Sequence, residues 1–114
     1  MPVHITKRRY LVFRVLSEQV PAGEAVLEAI TDSIDTLFGE FGLSRLHFIP
    51  IFYDEKKGEG IIRCDHEDVL DLRAAIAFID QVESKPASII ISGVSGTLKA
   101  ADARLFSNIP KISE

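Results

Sequence analysis

With one cysteine in the chain, Cys64, no internal disulfide can form, which agrees with a reducing compartment. No apolar run approaches the roughly 20 residues that span a bilayer, and no small-residue cleavage site follows an apolar stretch at the basic N-terminus. A soluble, cytoplasmic chain with no membrane partner is therefore expected. Tryptophan is absent, tyrosine occurs twice and aromatics make up 8% of the chain, which limits recognition of a ligand by stacking. A nucleophile motif of the G-x-S-x-G type is missing, and the spacing Gly93-x-x-Gly96-Thr97 lacks the longer loop and the lysine of a nucleotide-binding P-loop. Hydrolase and NTPase chemistry are left without a signature.

What the chain does have is charge in blocks. The net charge is −4, which by itself argues against a polyanionic partner, but its distribution matters more than its sum. Residues 1–17 hold Lys7, Arg8, Arg9 and Arg14 with no acid, whereas 18–44 hold Glu18, Glu24, Glu28, Asp32, Asp35 and Glu40 with no base. Residues 65–83 are acidic apart from Arg73, and 84–111 hold Lys85, Lys99, Arg104 and Lys111 against Asp102. If the acidic blocks share one side of the fold, a cationic side remains.

Hydrophobic periodicity places the blocks. From Arg8 to Leu16 the pattern alternates, with Leu11, Phe13 and Val15 on one face and Tyr10, Val12 and Arg14 on the other, which predicts a strand. From Ala22 to about Phe38, Val26, Ile30, Ile34 and Leu37 recur at helical spacing, and Gly39 and Gly42 end the segment. Residues 43–53 and 61–64 read as a hairpin around the polar turn 54–60, with Pro50 placing the first strand at an edge or on a bulge and Ile62 and Cys64 pointing inward. Asp65 caps a second helix that carries Val69, Leu72, Ile76 and Ile79 to about Val82. Lys85-Pro86 breaks it, residues 87–92 form the last strand, and a two-glycine turn starts a short helix. The order βαββαβ, with right-handed crossovers, predicts a single α+β domain over 1–114. It is a ferredoxin-like or RNA-recognition-motif-like sandwich, a four-stranded antiparallel sheet with both helices on one face plus a short C-terminal helix.

Few residues suggest chemistry. Backbone amides where the turn Ser95-Gly96-Thr97 meets the last helix form a phosphate-sized site, and the plainer assignment is that Ser95 or Thr97 caps the helix. The run 64–68 packs thiol, carboxylate and imidazole types together, but consecutive residues at a strand end point in different directions and do not converge on a metal. His4 and His47 have no evident acid or nucleophile partner, and Lys111 reads as a solvated charge. No catalytic residue and no metal ligand is assigned. On the helix, Leu27, Ile34 and Phe38 form an apolar shoulder that serves a thick core or a partner; on the open sheet face, Val12, Ile61 and Ile90 await a partner or a second copy. Tyr10 is the sole stacking residue there. RNA contact, if made, is mainly to phosphate.

Several segments taken together carry a resemblance. They are Lys7-Arg8-Arg9-Tyr10, Leu37-Phe38-Gly39, Tyr53-Asp54, Gly60-Ile61-Ile62-Arg63-Cys64, Leu72-Arg73-Ala74-Ala75 and Gly93-Val94-Ser95-Gly96-Thr97-Leu98-Lys99. In this order, over residues 7 to about 106, the chain resembles the archaeal ribonuclease P protein component 2 family, related to a small eukaryotic RNase P/MRP subunit. The resemblance implies a noncatalytic subunit of the ribonucleoprotein that removes 5′ leaders from precursor tRNA. It implies no cofactor on this chain, since the RNA and its Mg²⁺ ions cleave. The partners it implies are the ribonuclease P RNA, a TIM-barrel-like protein subunit and other ribonuclease P proteins, with a homodimer inside a heterotetramer among the arrangements. Carried onto this sequence, Arg63 and the turn Ser95, Gly96, Thr97 and Lys99 are the first RNA contacts, followed by Arg8, Arg9, Arg14 and Arg104. The helix after the turn departs from the family's basic character, with Ala100, Ala101 and Asp102 in place of cations. The alternatives on the same predicted fold are a regulatory domain that binds a small anionic metabolite at the glycine turn and, less favoured for want of an arginine in that turn, an acyl-phosphate hydrolase.

Overall fold

The computed structural model describes residues 7–107, so His4 and Lys111 lie outside the described residues. The elements run β1 (Arg8–Ser17), α1 (Gly23–Arg45), β2 (Phe48–Asp54), β3 (Glu59–Asp65), a 3-10 turn at His66–Asp68, α2 (Val69–Phe78), β4 (Gln81–Val82), β5 (Lys85–Ser95) and α3 (Leu98–Ser107). All strands pair antiparallel in one sheet of order β2-β3-β1-β5-β4.

The alternation of β1 divides the apolar residues between two layers. Leu11, Phe13 and Val15 share the main core with Ile62 and Cys64 of β3, Ile89 of β5, Val26, Ile30 and Ile34 of α1, and Leu72, Ala75 and Ile76 of α2. Both α1 and α2 thus cover one face. Val12 and Ile61 point the other way, where Ala101 and Leu105 of α3 close over them. Cys64 and Ile62 face inward as the alternation predicts, and Pro50 sits on the edge strand β2, beside a register irregularity between Pro50 and Phe52.

Four features differ from the expected arrangement, each for a local reason. The sheet has five strands, because residues 81–82 leave the helical pattern and fold back on Lys85 and Pro86. The two-residue turn that allows this uses Glu83 and Ser84, both at positive φ (53° and 65°), a conformation that ordinarily selects Asn or Gly and so leaves no turn signal in the sequence. α2 therefore ends at Phe78, and β5 begins at Lys85 and runs on through Gly93 to Ser95. α1 is broken at Gly39 (φ 68°, ψ −165°) but resumes, so residues 43–45 are helical rather than extended. Finally, α3 occupies part of the sheet face that was expected to be open.

That last difference takes Val12 and Ile61 out of the surface expected to meet a partner. Val12 and Ile61 are buried (1% exposed each) by α3 of the same chain, and Ile34 is buried in the main core. Burying Val12, Ile61 and Leu105 contributes roughly 1.5–3 kcal/mol each, enough to hold a ten-residue helix against the sheet. Leu27 and Phe38 are half-buried, and Phe38, like Ile34, serves the core. Ile90 stays exposed.

Candidate nucleic-acid interface

The start of β1 and the start of α3 meet because the two central strands are in register: Tyr10 lies opposite Ser95 of β5 on one side and Arg63 of β3 on the other. Beyond that row the chain leaves β5 through Gly96 and Thr97 into α3, while Lys7, Arg8 and Arg9 lead into β1. Between them is an open basin of about 570 Å³ lined by Lys7, Arg8, Arg9, Tyr10, Gly96, Thr97 and Leu98.

Both walls are fixed by hydrogen bonds. The His66 N–H donates to the Lys7 carbonyl at 2.8 Å, which ties the basic segment to the 3-10 turn. Thr97 is the helix cap: its Oγ1 accepts from the Ala100 N–H and its carbonyl from the Ala101 N–H, both at 3.2 Å. The start of α3, with its remaining early amides and the positive end of its dipole, borders the same basin as the cations. Arg9 donates to the Arg8 carbonyl at 2.9 Å, and its Nη1 lies 3.9 Å from where a Cβ on Gly96 would sit, so the guanidinium reaches across to the turn. Lys7, Arg8, Arg9 and Lys99 form no ion pair among the described residues. The three of these that line the basin, Lys7, Arg8 and Arg9, together with helix-start amides attract an anion with several oxygens.

The other candidates fall in different places. Ser95 is buried (8% exposed) within β5, so the anion-facing part of the turn is Gly96 and Thr97. Lys99 is exposed on the first turn of α3. Arg63 is half-exposed on the Tyr10 face, one strand over. Arg104 lies across Gly93, so close that any Cβ there would collide with its guanidinium, which places its side chain over β5. Arg14 is engaged by Glu59: its Nε donates to Glu59 Oε2 at 3.2 Å and its Nη2 to the same oxygen. The turn assignment of Glu59 concealed this partner; it lies in β3 directly opposite Arg14. Lys7 and Tyr10, which sequence reasoning had not ranked as anion contacts, were signalled only by their adjacency to Arg8 and Arg9.

The run 64–68 is dispersed rather than gathered. Cys64 faces the core, residues 65–67 are exposed, and Asp68 turns towards Arg45, 3.8 Å away. Burial, with the nearby carboxylates of Asp68 and Asp65, pushes the Cys64 thiol up from 9.0 to about 11, so it stays protonated and unreactive at neutral pH. Burial also raises Asp68, with Asp65 adding to the effect and Arg45 opposing it. The thiol shift makes stability fall with alkalinity: between pH 9 and about 11 the unfolded chain releases the proton and the folded chain keeps it. Two units correspond to about 2–3 kcal/mol. Melting Cys64→Ala beside the parent chain across that window is expected to show a shallower fall for the variant, and parallel slopes would contradict it.

The Rpp14/Pop5 family model matches residues 9–106. The chain is 34% identical over 107 residues to "Ribonuclease P protein component 2" of Methanosarcina acetivorans, covering 93% of this chain and 79% of the relative. It is 33% identical over 101 residues to the protein of the same name from Pyrococcus furiosus, covering 89% and 84%. Among solved structures, a chain in the cryo-EM structure of yeast ribonuclease MRP superimposes with a TM-score of 0.69 over 93% of this chain and 91% of that one, at 12% identity, a likeness of fold.

Proposed function

Because the chain belongs to the Rpp14/Pop5 family, we propose that it is a protein subunit of ribonuclease P that supports the catalytic RNA in removing 5′ leaders from precursor tRNA. The carrying observation is the basin where Lys7, Arg8 and Arg9 face the capped start of α3. Such a surface offsets phosphate charge and offers amide donors, and it needs neither nucleophile nor metal ligand on the protein. Arg63 and Lys99 extend it along the Tyr10 face and the first turn of α3. Arg14 and Ser95 drop to minor contacts, one neutralised by Glu59 and the other buried. The strand order β2-β3-β1-β5 with α1 and α2 on one face supports a ferredoxin-like, RNA-recognition-motif-like core. In that architecture the open sheet is the usual RNA platform, and here α3 moves the contact to its rim. In this role the Mg²⁺ is held by RNA, and the chain pairs with a TIM-barrel-like subunit, with a homodimer as one arrangement. An anionic metabolite is the weaker occupant, since the basin is open rather than enclosing.

The test is reconstitution with ribonuclease P RNA and its other protein subunits. Replacing Arg63 and Lys99 together by Ala is expected to raise the Mg²⁺ needed for half-maximal cleavage by about two- to fivefold, as free cations take over the lost screening. An unchanged Mg²⁺ titration would remove these two contacts, and a particle that cleaves equally well without the chain would remove the function.

A further inference from the structure

The outer surface of α2 is the least expected part of the molecule. Its ten residues, VLDLRAAIAF, include only Asp71 and Arg73 as charges, and a helix that is apolar all round is normally enclosed. This one is half covered. Leu72, Ala75 and Ile76 enter the core, whereas Leu70 (81% exposed), Ala74, Ala77 and Phe78 (55% exposed) follow one another at i, i+4, i+7 and i+8 on the solvent side. On α1 Phe41 is also exposed (88%), one turn before Arg45, whose guanidinium bonds Asp71 at 3.1 Å. At the end of the stripe Phe78 opens into a groove of about 300 Å³ between α1 and the β4–β5 turn.

That groove gives the partner its charge. Its floor is Ala25, Ala29 and Ser33, the Ser33 hydroxyl being spent on the Ala75 carbonyl, and its rims carry Glu28, Asp32, Asp80 and Glu83. None of these four carboxylates has an ion pair or hydrogen bond among the described residues, and no base lines the groove. We infer that the α2 stripe and this groove together dock a lysine- or arginine-bearing amphipathic helix of a different protein, its apolar residues on Leu70, Ala74 and Phe78 and its cations over the rim acids. Charge selects the occupant. A second copy related by a two-fold axis through the groove would bring Glu28, Asp32, Asp80 and Glu83 towards their own likes, and RNA would meet apolar and negative surface. Spacing fits a helix laid in a groove. That the partner is a fellow subunit rests on the ribonucleoprotein reading; the surface and its chemistry do not.

The experiment titrates the full chain with a blocked helical peptide of about four turns, leucines on one face and lysines on the flanks, and with its glutamate counterpart. Amide shifts are expected at Leu70, Ala74, Ala77, Phe78, Asp32 and Asp80 with the lysine peptide alone. Leu70→Ser with Phe78→Ser, and separately Asp32→Lys with Asp80→Lys, are expected to weaken binding at least tenfold; all four positions are exposed, so folding is retained and is checked by melting. Absence of binding, equal binding by both peptides, unchanged affinity in either double variant, or shifts confined to other surfaces would each overturn the inference. Ribonuclease P RNA binding is measured on the same samples: its loss in the parent chain sinks the proposed function, whereas peptide failure with RNA binding intact sinks only the docking surface.

Discussion

Replacing Lys7, Arg8 and Arg9 together by Ala is expected to weaken binding to ribonuclease P RNA on the order of a hundredfold at about 50 mM salt, with the melting temperature nearly unchanged. The three residues line one basin, and none is compensated by an acid among the described residues. Lys7 and Arg8 are exposed and Arg9 is half-buried, so truncation removes little packing and stability moves within about 0.5 kcal/mol. Each lost phosphate contact releases fewer counterions, and the slope of log affinity against log salt is expected to become shallower by roughly two to three. The gap between parent and variant therefore closes as salt rises. Lys99→Ala alone is expected to cost about threefold, because it removes one cation from a site whose amide donors persist. A triple variant with the parent slope would place the RNA elsewhere on the molecule.

How far this interface was legible follows from the range over which each signal acts. The alternation along β1, the inward Ile62 and Cys64, Pro50 at the sheet edge and the helix start at Thr97 are all written within a few neighbouring residues, and the structure contains them. The β4–β5 turn was not legible, since Glu83 and Ser84 hold positive φ without the residues that usually announce it. Placement of α3 was half legible: Leu98, Ala101 and Leu105 carry helical apolar spacing, but only the packed fold shows that Val12 and Ile61 lie beneath the last two. On α1 the core takes Ile34 and Phe38 while Leu27 is half-buried; the stripe left to solvent belongs to α2, which carries Leu70, Ala74, Ala77 and Phe78 outward as well as Leu72, Ala75 and Ile76 inward and so gives little amphipathic signal. Arg14 was the hardest case. Its role depends on a carboxylate 45 residues away, brought opposite by the β1–β3 register.

Arg14→Ala is expected to lower the unfolding free energy by about 2–4 kcal/mol while changing RNA affinity by less than about threefold, the reverse of the basin variant. The stability loss arises from Glu59. Its side chain is 7% exposed against 39% for Arg14, so removing the guanidinium strands a carboxylate in the sheet with water reaching only one side of the pair. Loss of a fully buried partner costs about 3–5 kcal/mol, and the exposure of Arg14 places this pair towards and below the lower end. Glu59→Gln in the Arg14→Ala chain is expected to recover more than half of the loss, since a neutral amide tolerates the site, and urea midpoints of the four chains give the coupling directly. Additive effects of the two substitutions would mean that the pair is merely a surface contact. The RNA arm is the sharper discriminator. A guanidinium already committed to Glu59 has little charge to offer a phosphate, so an arginine that ranked with Arg8 and Arg9 in the sequence acts in the folded chain as part of the scaffold behind them. A large loss of RNA affinity in a still-folded Arg14→Ala chain would show that the ion pair opens when RNA arrives.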